Sequence, residues 1–118
     1  MFVLHTHTGK MVQLKWGTYA MKLFSQKRGI EGTLASIFKD LANMSQDLDV
    51  AVCVFQAASE AATKYVPEYE EVCEWIDDCG GLLAKTGPIF EFGSYLMSTM
   101  GVDVETPEEE EKKSEQNA

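Results

Sequence analysis

The chain has 118 residues, a length at which one domain with one hydrophobic core is normal. Its formal net charge of −9 argues against duplex nucleic acid and anionic membranes as partners, because both are bound through Lys and Arg, and favours a basic partner. The longest apolar stretch, residues 50–62, is too short and too interrupted for a membrane span, and residues 1–10 contain no signal-peptide core, so we predict a cytoplasmic protein.

The first fifteen residues predict a β-hairpin. Two runs of β-forming residues, 2–8 and 11–15, flank Gly9-Lys10, which is a good turn sequence. Alternation places Phe2 and Leu4 on one face of the first strand. An isolated hairpin is only marginally stable, so we expect this one to pack against helices.

From Trp16 onward the hydrophobic period changes from 2 to 3.6 residues, which indicates helices. The first helix is predicted to begin near Thr18, which can cap it, and to end at Gly29. The second helix is predicted to begin near Thr33 and to end before residues 43–46. Four apolar residues are expected on its buried face: Leu34, Ile37, Phe38 and Leu41.

A longer third helix is predicted to begin at a cap formed by Asp47 or Asp49 and to end near Tyr65. Its apolar residues point in nearly every direction around the helix axis. We therefore place it at the centre of the bundle, with Phe55 in the core.

Pro67 separates the third helix from a fourth, which ends at Gly80-Gly81. A fifth helix is predicted to begin near Gly87-Pro88, since proline suits the first helical turn. Residues 82–85 fit a loop, a short helical turn or an extension of the fifth helix kinked at Pro88. The inner face of the fourth helix is expected to carry Tyr69, Val72, Cys73 and Ile76. The inner face of the fifth is expected to carry Ile89, Phe92, Leu96 and Met100.

The composition changes after Gly101. Residues 105–118 contain no aromatic residue and almost no apolar one, and residues 108–111 are an unbroken acidic run. Such a segment buries too little apolar surface to offset the entropy lost on ordering. We therefore predict a helical domain with an N-terminal hairpin over residues 1–101 and a disordered acidic tail over residues 102–118. The expected fold class is mainly α, a bundle of about five helices.

No catalytic or cofactor motif is present in the sequence, and we predict a non-enzymatic protein with no cofactor and no metal. His5 and His7 share a strand face, but no third or fourth ligand lies at supporting spacing. Cys53, Cys73 and Cys79 are odd in number and lack CxxC spacing, so we interpret them as reduced thiols. Cys53 and Cys73 are expected to pack in the core.

The fourth helix carries an unusual cluster of carboxylates. Glu70, Glu74 and Asp78 recur at i, i+4 and i+8, so like charges line one helix face. One interpretation is a solvated face, because exposed helix faces are usually charged. The other is a docking face for a basic or amphipathic helix. The candidate partner-binding residues are Glu70, Glu71, Glu74, Asp77 and Asp78.

Two segments of the chain resemble segments of a known family. The Gly-Lys turn leads into a helix marked by Trp16-Gly17, Ala20 and Gly29, and the later segment PEYEEVCEWIDD contains Glu74-Trp75-Ile76. These features resemble the tail assembly chaperones of long-tailed bacteriophages and prophages. The similarity covers about residues 3–100.

The resemblance implies a non-catalytic chaperone that binds the tape-measure protein and keeps it soluble while tail-tube subunits polymerise around it. It also implies that the protein acts in the host cytoplasm and is absent from the finished virion. Tape-measure and tail-tube proteins are the partners this implies, and a homo-oligomer is left open. The alternative is a small cytosolic regulatory adaptor, an antitoxin-like or anti-repressor protein, that acts through its acidic face. The matching motif residues are structural, so no binding residue is carried over.

Overall fold

A computed structural model of the protein describes residues 1–101, and the predicted disordered acidic tail, residues 102–118, lies outside the described residues. Helices are the main elements, as predicted, and an antiparallel hairpin precedes them. The elements in chain order are β1 Phe2–His5, β2 Met11–Leu14, α1 Thr18–Arg28, α2 Leu34–Leu41, α3 Leu48–Thr63, α4 Tyr69–Asp77 and α5 Pro88–Thr99. The predicted fold class, mainly α with an N-terminal hairpin, is confirmed.

The hairpin is part of the core. Leu4 pairs with Val12 and Phe2 with Leu14, and the side chains of Leu4 and Leu14 are fully buried. The hairpin packs against α3 and α5, and packing against helices was expected because an isolated hairpin is only marginally stable. Strand β1 ends at His5, earlier than predicted, because residues 6–10 form a closed loop in which the Thr6 amide donates to the Lys10 carbonyl at 3.0 Å.

Helix α3 is the central element, as predicted. The Asp47 carboxylate caps it by accepting a hydrogen bond from the Asp49 amide at 3.0 Å. Phe55 is fully buried, with its ring centroid 4.8 Å from that of Phe92 in α5. The ring of Phe92 lies in turn 5.4 Å from that of Phe2, so these three rings join the hairpin to the helices.

Helix α1 ends as predicted but begins differently. Gly29 has a φ of +66°, the left-handed conformation that a glycine adopts at a helix end without strain. At the other end Gly17 occupies the capping position, and no side-chain hydrogen bond caps the helix. The expected Thr18 cap is therefore wrong, because Thr18 is already the first helical residue.

Helix α2 buries fewer of its apolar side chains than predicted. Ile37 is 3% exposed, but Leu34 is 58% and Phe38 is 40% exposed, so their expected burial is wrong. The eight-residue helix lies at the surface and turns one stripe, Ile37 and the half-buried Leu41, toward the core. Leu34 and Phe38 form the neighbouring stripe, which faces outward.

The inner face of α4 also differs from the prediction at its first residue. Tyr69 is 43% exposed, and its hydroxyl donates to a carboxylate oxygen of Asp49 at 2.7 Å. This helix packs through Val72 and Ile76, both buried. Residues 78–87 form the connection to α5, so residues 82–85 are a loop, with the Ala84 amide 3.4 Å from the Gly81 carbonyl. No helix within residues 1–101 has the length and apolar character that crossing a membrane requires.

Candidate functional site

An open apolar groove lies between α2 and α5. Its larger part, about 420 Å³, lies between the end of α2, the turn that follows it, the loop before α5, and α5 itself. A smaller part of about 300 Å³ continues toward the end of α5, and both parts share Leu41, Ala42 and Met97. The residues lining this α2–α5 groove are Phe38, Leu41, Ala42, Met44, Ser45, Leu82, Leu83, Ala84, Ile89, Phe90, Gly93, Ser94, Met97 and Met100.

The lining of the α2–α5 groove is almost entirely apolar. None of its residues is charged, and Ser45 and Ser94 carry its only polar side chains. Leu83 and Phe90 are more than half exposed, and Met97 is also exposed. Clusters of large, solvent-exposed apolar side chains are typical of interaction sites. The flexible methionine side chain can adapt its shape to different partners. This groove is therefore suited to bind an apolar surface.

Gly93 lies on the face of α5 that lines the groove. A glycine inside a helix costs about 0.5–1 kcal/mol relative to alanine. The fold does not require this glycine, because a Cβ atom placed there would meet no atom within 4 Å. The missing side chain leaves room for another chain to approach the backbone of α5 closely.

The predicted acidic site is only partly assembled. Glu74, Asp77 and Asp78 line one open pocket together with Lys10 and the buried ring of Trp75. Glu71 lines a neighbouring pocket, and Glu70 is exposed and lines neither of the two. The structure thus brings three of the five candidate carboxylates together.

Two of the candidate carboxylates hold parts of the chain in place. The amide and hydroxyl of Thr8 donate to the same carboxylate oxygen of Asp78, at 3.2 and 2.5 Å. The His7 amide also donates to the Asp78 carbonyl at 3.0 Å, so the hairpin loop is attached to the end of α4. Glu71 accepts a hydrogen bond from the Tyr65 hydroxyl. Periodicity alone did not reveal these roles.

Hydrogen bonding from Thr8 lowers the pKa of Asp78 below its ordinary value of 3.8. The stabilising contribution of the ionised carboxylate is therefore complete above about pH 5 and is lost as the pH falls through the lower folded-state pKa. We expect the free energy of unfolding of Asp78→Asn to depend less on pH between about pH 5 and pH 2 than that of the wild type, because the substitution removes the ionisation of the Asp78 carboxyl. Urea unfolding at a series of pH values measures this. Thr8→Val removes the hydroxyl donor and keeps the amide donor, so it should reduce the pH dependence in part. An unchanged pH dependence in both variants would contradict the assigned contact.

The histidines and cysteines are the other candidate ligands in the sequence. Within residues 1–101 no three His, Cys, Asp or Glu side chains lie close enough together to hold a metal ion. Burial raises the pKa of the Cys53 and Cys79 thiols, which keeps them protonated near neutral pH. Cys53 and Cys73 are half-buried and pack against the core from the edges of the buried stripes of α3 and α4, so the expected core packing is confirmed in part.

Sequence reasoning missed the α2–α5 groove. One sequence feature indicates it: α2 carries two adjacent apolar stripes, more than an eight-residue surface helix can bury. On α5, Phe90 and Met97 likewise lie outside the stripe formed by Ile89, Phe92 and Leu96. Of these surplus apolar residues, Phe38, Phe90 and Met97 meet in the groove, whereas Leu34 does not line it.

Comparisons with models of known protein families, with curated proteins and with solved structures found no match to this chain. The resemblance to tail assembly chaperones therefore depends on the motif residues named above.

Proposed function

We propose that this protein is a non-catalytic tail assembly chaperone of the kind found in long-tailed bacteriophages and prophages. Its client is the tape-measure protein, and it assists polymerisation of the tail tube around that client. The observation that carries this proposal is the α2–α5 groove, which presents large apolar side chains at the surface of a small domain.

The groove supports a holding function because of what an unassembled helical client exposes. A long coiled-coil chain without its partners presents apolar stripes to water, and such stripes drive aggregation. Covering them removes apolar area from water, which is worth about 25 cal/mol per Å² before the costs of association are subtracted. The net charge of −9 favours solubility of the resulting complex through repulsion between complexes.

The chemistry of the lining supports binding rather than catalysis. Ser45 and Ser94 are the only hydroxyl groups of the groove, and a serine needs an adjacent base to act as a nucleophile. No titratable residue lines the groove beside them. In this proposal the protein acts in the host cytoplasm, passes the tape-measure protein to tail-tube subunits and is left out of the virion.

The test is co-expression with the tape-measure protein encoded in the same genome. We expect the soluble fraction of the tape-measure protein to rise severalfold and the two chains to co-purify. Phe38→Ser with Phe90→Ser should remove this effect without unfolding the domain, because both side chains are exposed. Tyr19→Ser on α1 is the matched control, since Tyr19 is exposed but does not line the groove. A tape-measure protein that stays insoluble with the wild type would refute the proposal.

A regulatory adaptor that binds through the acidic residues of α4 is the second candidate. The observation that favours it is the open pocket in which Glu74 and Asp77 are exposed. Replacing Glu70, Glu74 and Asp77 by their amides separates the two functions and leaves the structural contact of Asp78 intact. An adaptor would lose its partner in this triple variant, whereas the proposed chaperone would still keep the tape-measure protein soluble.

A further inference from the structure

We infer that the α2–α5 groove binds one amphipathic helix of a partner protein, with an apolar stripe about three turns long and Lys or Arg along its flanks. This inference rests on the proposed protein-binding function and adds the chemistry of the segment that is bound.

The polarity of the groove selects a helix over an extended peptide. An extended segment must find partners for its backbone N–H and C=O groups, and buried groups without partners are costly. The groove offers two serine hydroxyls as its polar side chains, and no strand edge belongs to its lining. A helix satisfies its own backbone hydrogen bonds and presents only side chains, which an apolar groove can accept.

The length of the groove sets the length of the bound stripe. Its lining extends along α5 from Ile89 to Met100, which corresponds to about 16 Å at 1.5 Å per helical residue. A helix lying alongside would contact the groove over about three turns, through apolar residues at i, i+3 or i+4, and i+7. The open space above Gly93 allows one of these anchors to approach the backbone of α5.

Residues 102–118 are poor occupants of the groove. Of residues 102–118, Val102 and Val104 are the only large apolar ones, too few to fill a groove lined by Phe, Leu, Ile and Met. We therefore assign the apolar stripe to a partner protein.

The distribution of charge favours basic flanks on the bound helix. Residues 102–118 contain seven acidic and two basic residues, and this segment begins two residues after Met100, at the end of the groove. A basic helix would be attracted by the net charge of −9, with a range of about 8 Å at physiological ionic strength. A second copy of this chain would instead carry a further charge of −9 and be repelled.

The experiment uses the full-length protein and two synthetic fourteen-residue helical peptides with the same leucine stripe. One peptide carries Lys on its flanks and the other carries Glu. By fluorescence anisotropy we expect the Lys peptide to bind at least about tenfold more tightly, with an advantage that falls as salt is added. Replacing Glu108, Glu109, Glu110 and Glu111 by Gln should reduce that dependence on salt.

A pair of glutamate substitutions on α5 tests where the peptide binds. Gly93→Glu puts a charge and bulk into the groove and should weaken binding of the Lys peptide at least about tenfold, because apolar surroundings disfavour an unpaired charge. Ser98→Glu adds the same charge at an exposed position outside the lining and should change binding less than about twofold. Circular dichroism checks the fold of both. Phe90→Ser gives the same readout if Gly93→Glu unfolds.

Equal binding of the two peptides would overturn the inference, and so would equal effects of the Gly93→Glu and Ser98→Glu substitutions. A wild-type dimer in sedimentation that Gly93→Glu makes monomeric would also overturn it. Such a dimer would identify a second copy of this chain as the occupant of the groove. If the Lys peptide fails to bind but the tape-measure protein is kept soluble, this inference fails and the proposed function stands. If the peptide results hold but the tape-measure protein stays insoluble, the proposed function fails and the inference stands.

Discussion

Replacing Phe55 by alanine is expected to lower the free energy of unfolding by about 3–5 kcal/mol. Phe55 is fully buried in the central helix, and its ring packs on that of Phe92, which also contacts Phe2 of the hairpin. Truncation removes buried apolar area and leaves a cavity between elements that are held from several sides, so the site cannot easily collapse. Urea unfolding should show a lower midpoint with an unchanged m-value.

Phe38→Ala is the matched control for the effect of burial. It removes the same atoms, but Phe38 is 40% exposed at the edge of the groove, so we expect a loss of less than about 1 kcal/mol. If Phe55→Ala leaves no folded protein to measure, Phe55→Leu should give a smaller loss in the same direction. Equal costs for the two alanine variants would contradict the difference in burial between α2 and α3.

Leu4→Ala is expected to lower the free energy of unfolding by about 2–5 kcal/mol, although the hairpin contains only eight strand residues. Leu4 is fully buried opposite Val12, on the face that packs against the helices. A two-stranded hairpin has little stability of its own, so its contribution comes from this packing. Unfolding followed by tryptophan fluorescence, which reports on Trp16 and Trp75, and by far-UV circular dichroism should give coincident transitions.

Val3→Ala, one residue earlier on the same strand, is the control. Val3 points to the opposite face and is 39% exposed, so we expect a change of less than about 1 kcal/mol. A loss of less than about 0.5 kcal/mol in Leu4→Ala would show that the hairpin is an appendage and not part of the core.

The acidic residues of α4 illustrate what spacing can and cannot predict about a site. Helical periodicity predicted that Glu74 and Asp78 lie one turn apart, and they do line one pocket. It could not predict that Asp78 accepts two hydrogen bonds from Thr8, seventy residues earlier in the chain. That contact depends on how the hairpin loop meets the end of α4, which no local pattern encodes.

The sequence by itself determined the elements of this protein and most of their inward faces. Alternation placed Phe2 and Leu4 on one strand face, the change of period marked the helices, and the all-round apolar character of α3 predicted its central position. These features are local, because each depends on side-chain directions about the axis of one element.

Only the tertiary structure decided which apolar residues remain uncovered. Phe38 and Ile37 are equally apolar neighbours on one helix, yet Ile37 is buried and Phe38 lines a groove with Met97 of α5. Periodicity gives the directions of side chains around a helix, but the position of the neighbouring elements determines which direction is the inside. The α2–α5 groove exists because two surface helices each carry one apolar stripe more than the core covers.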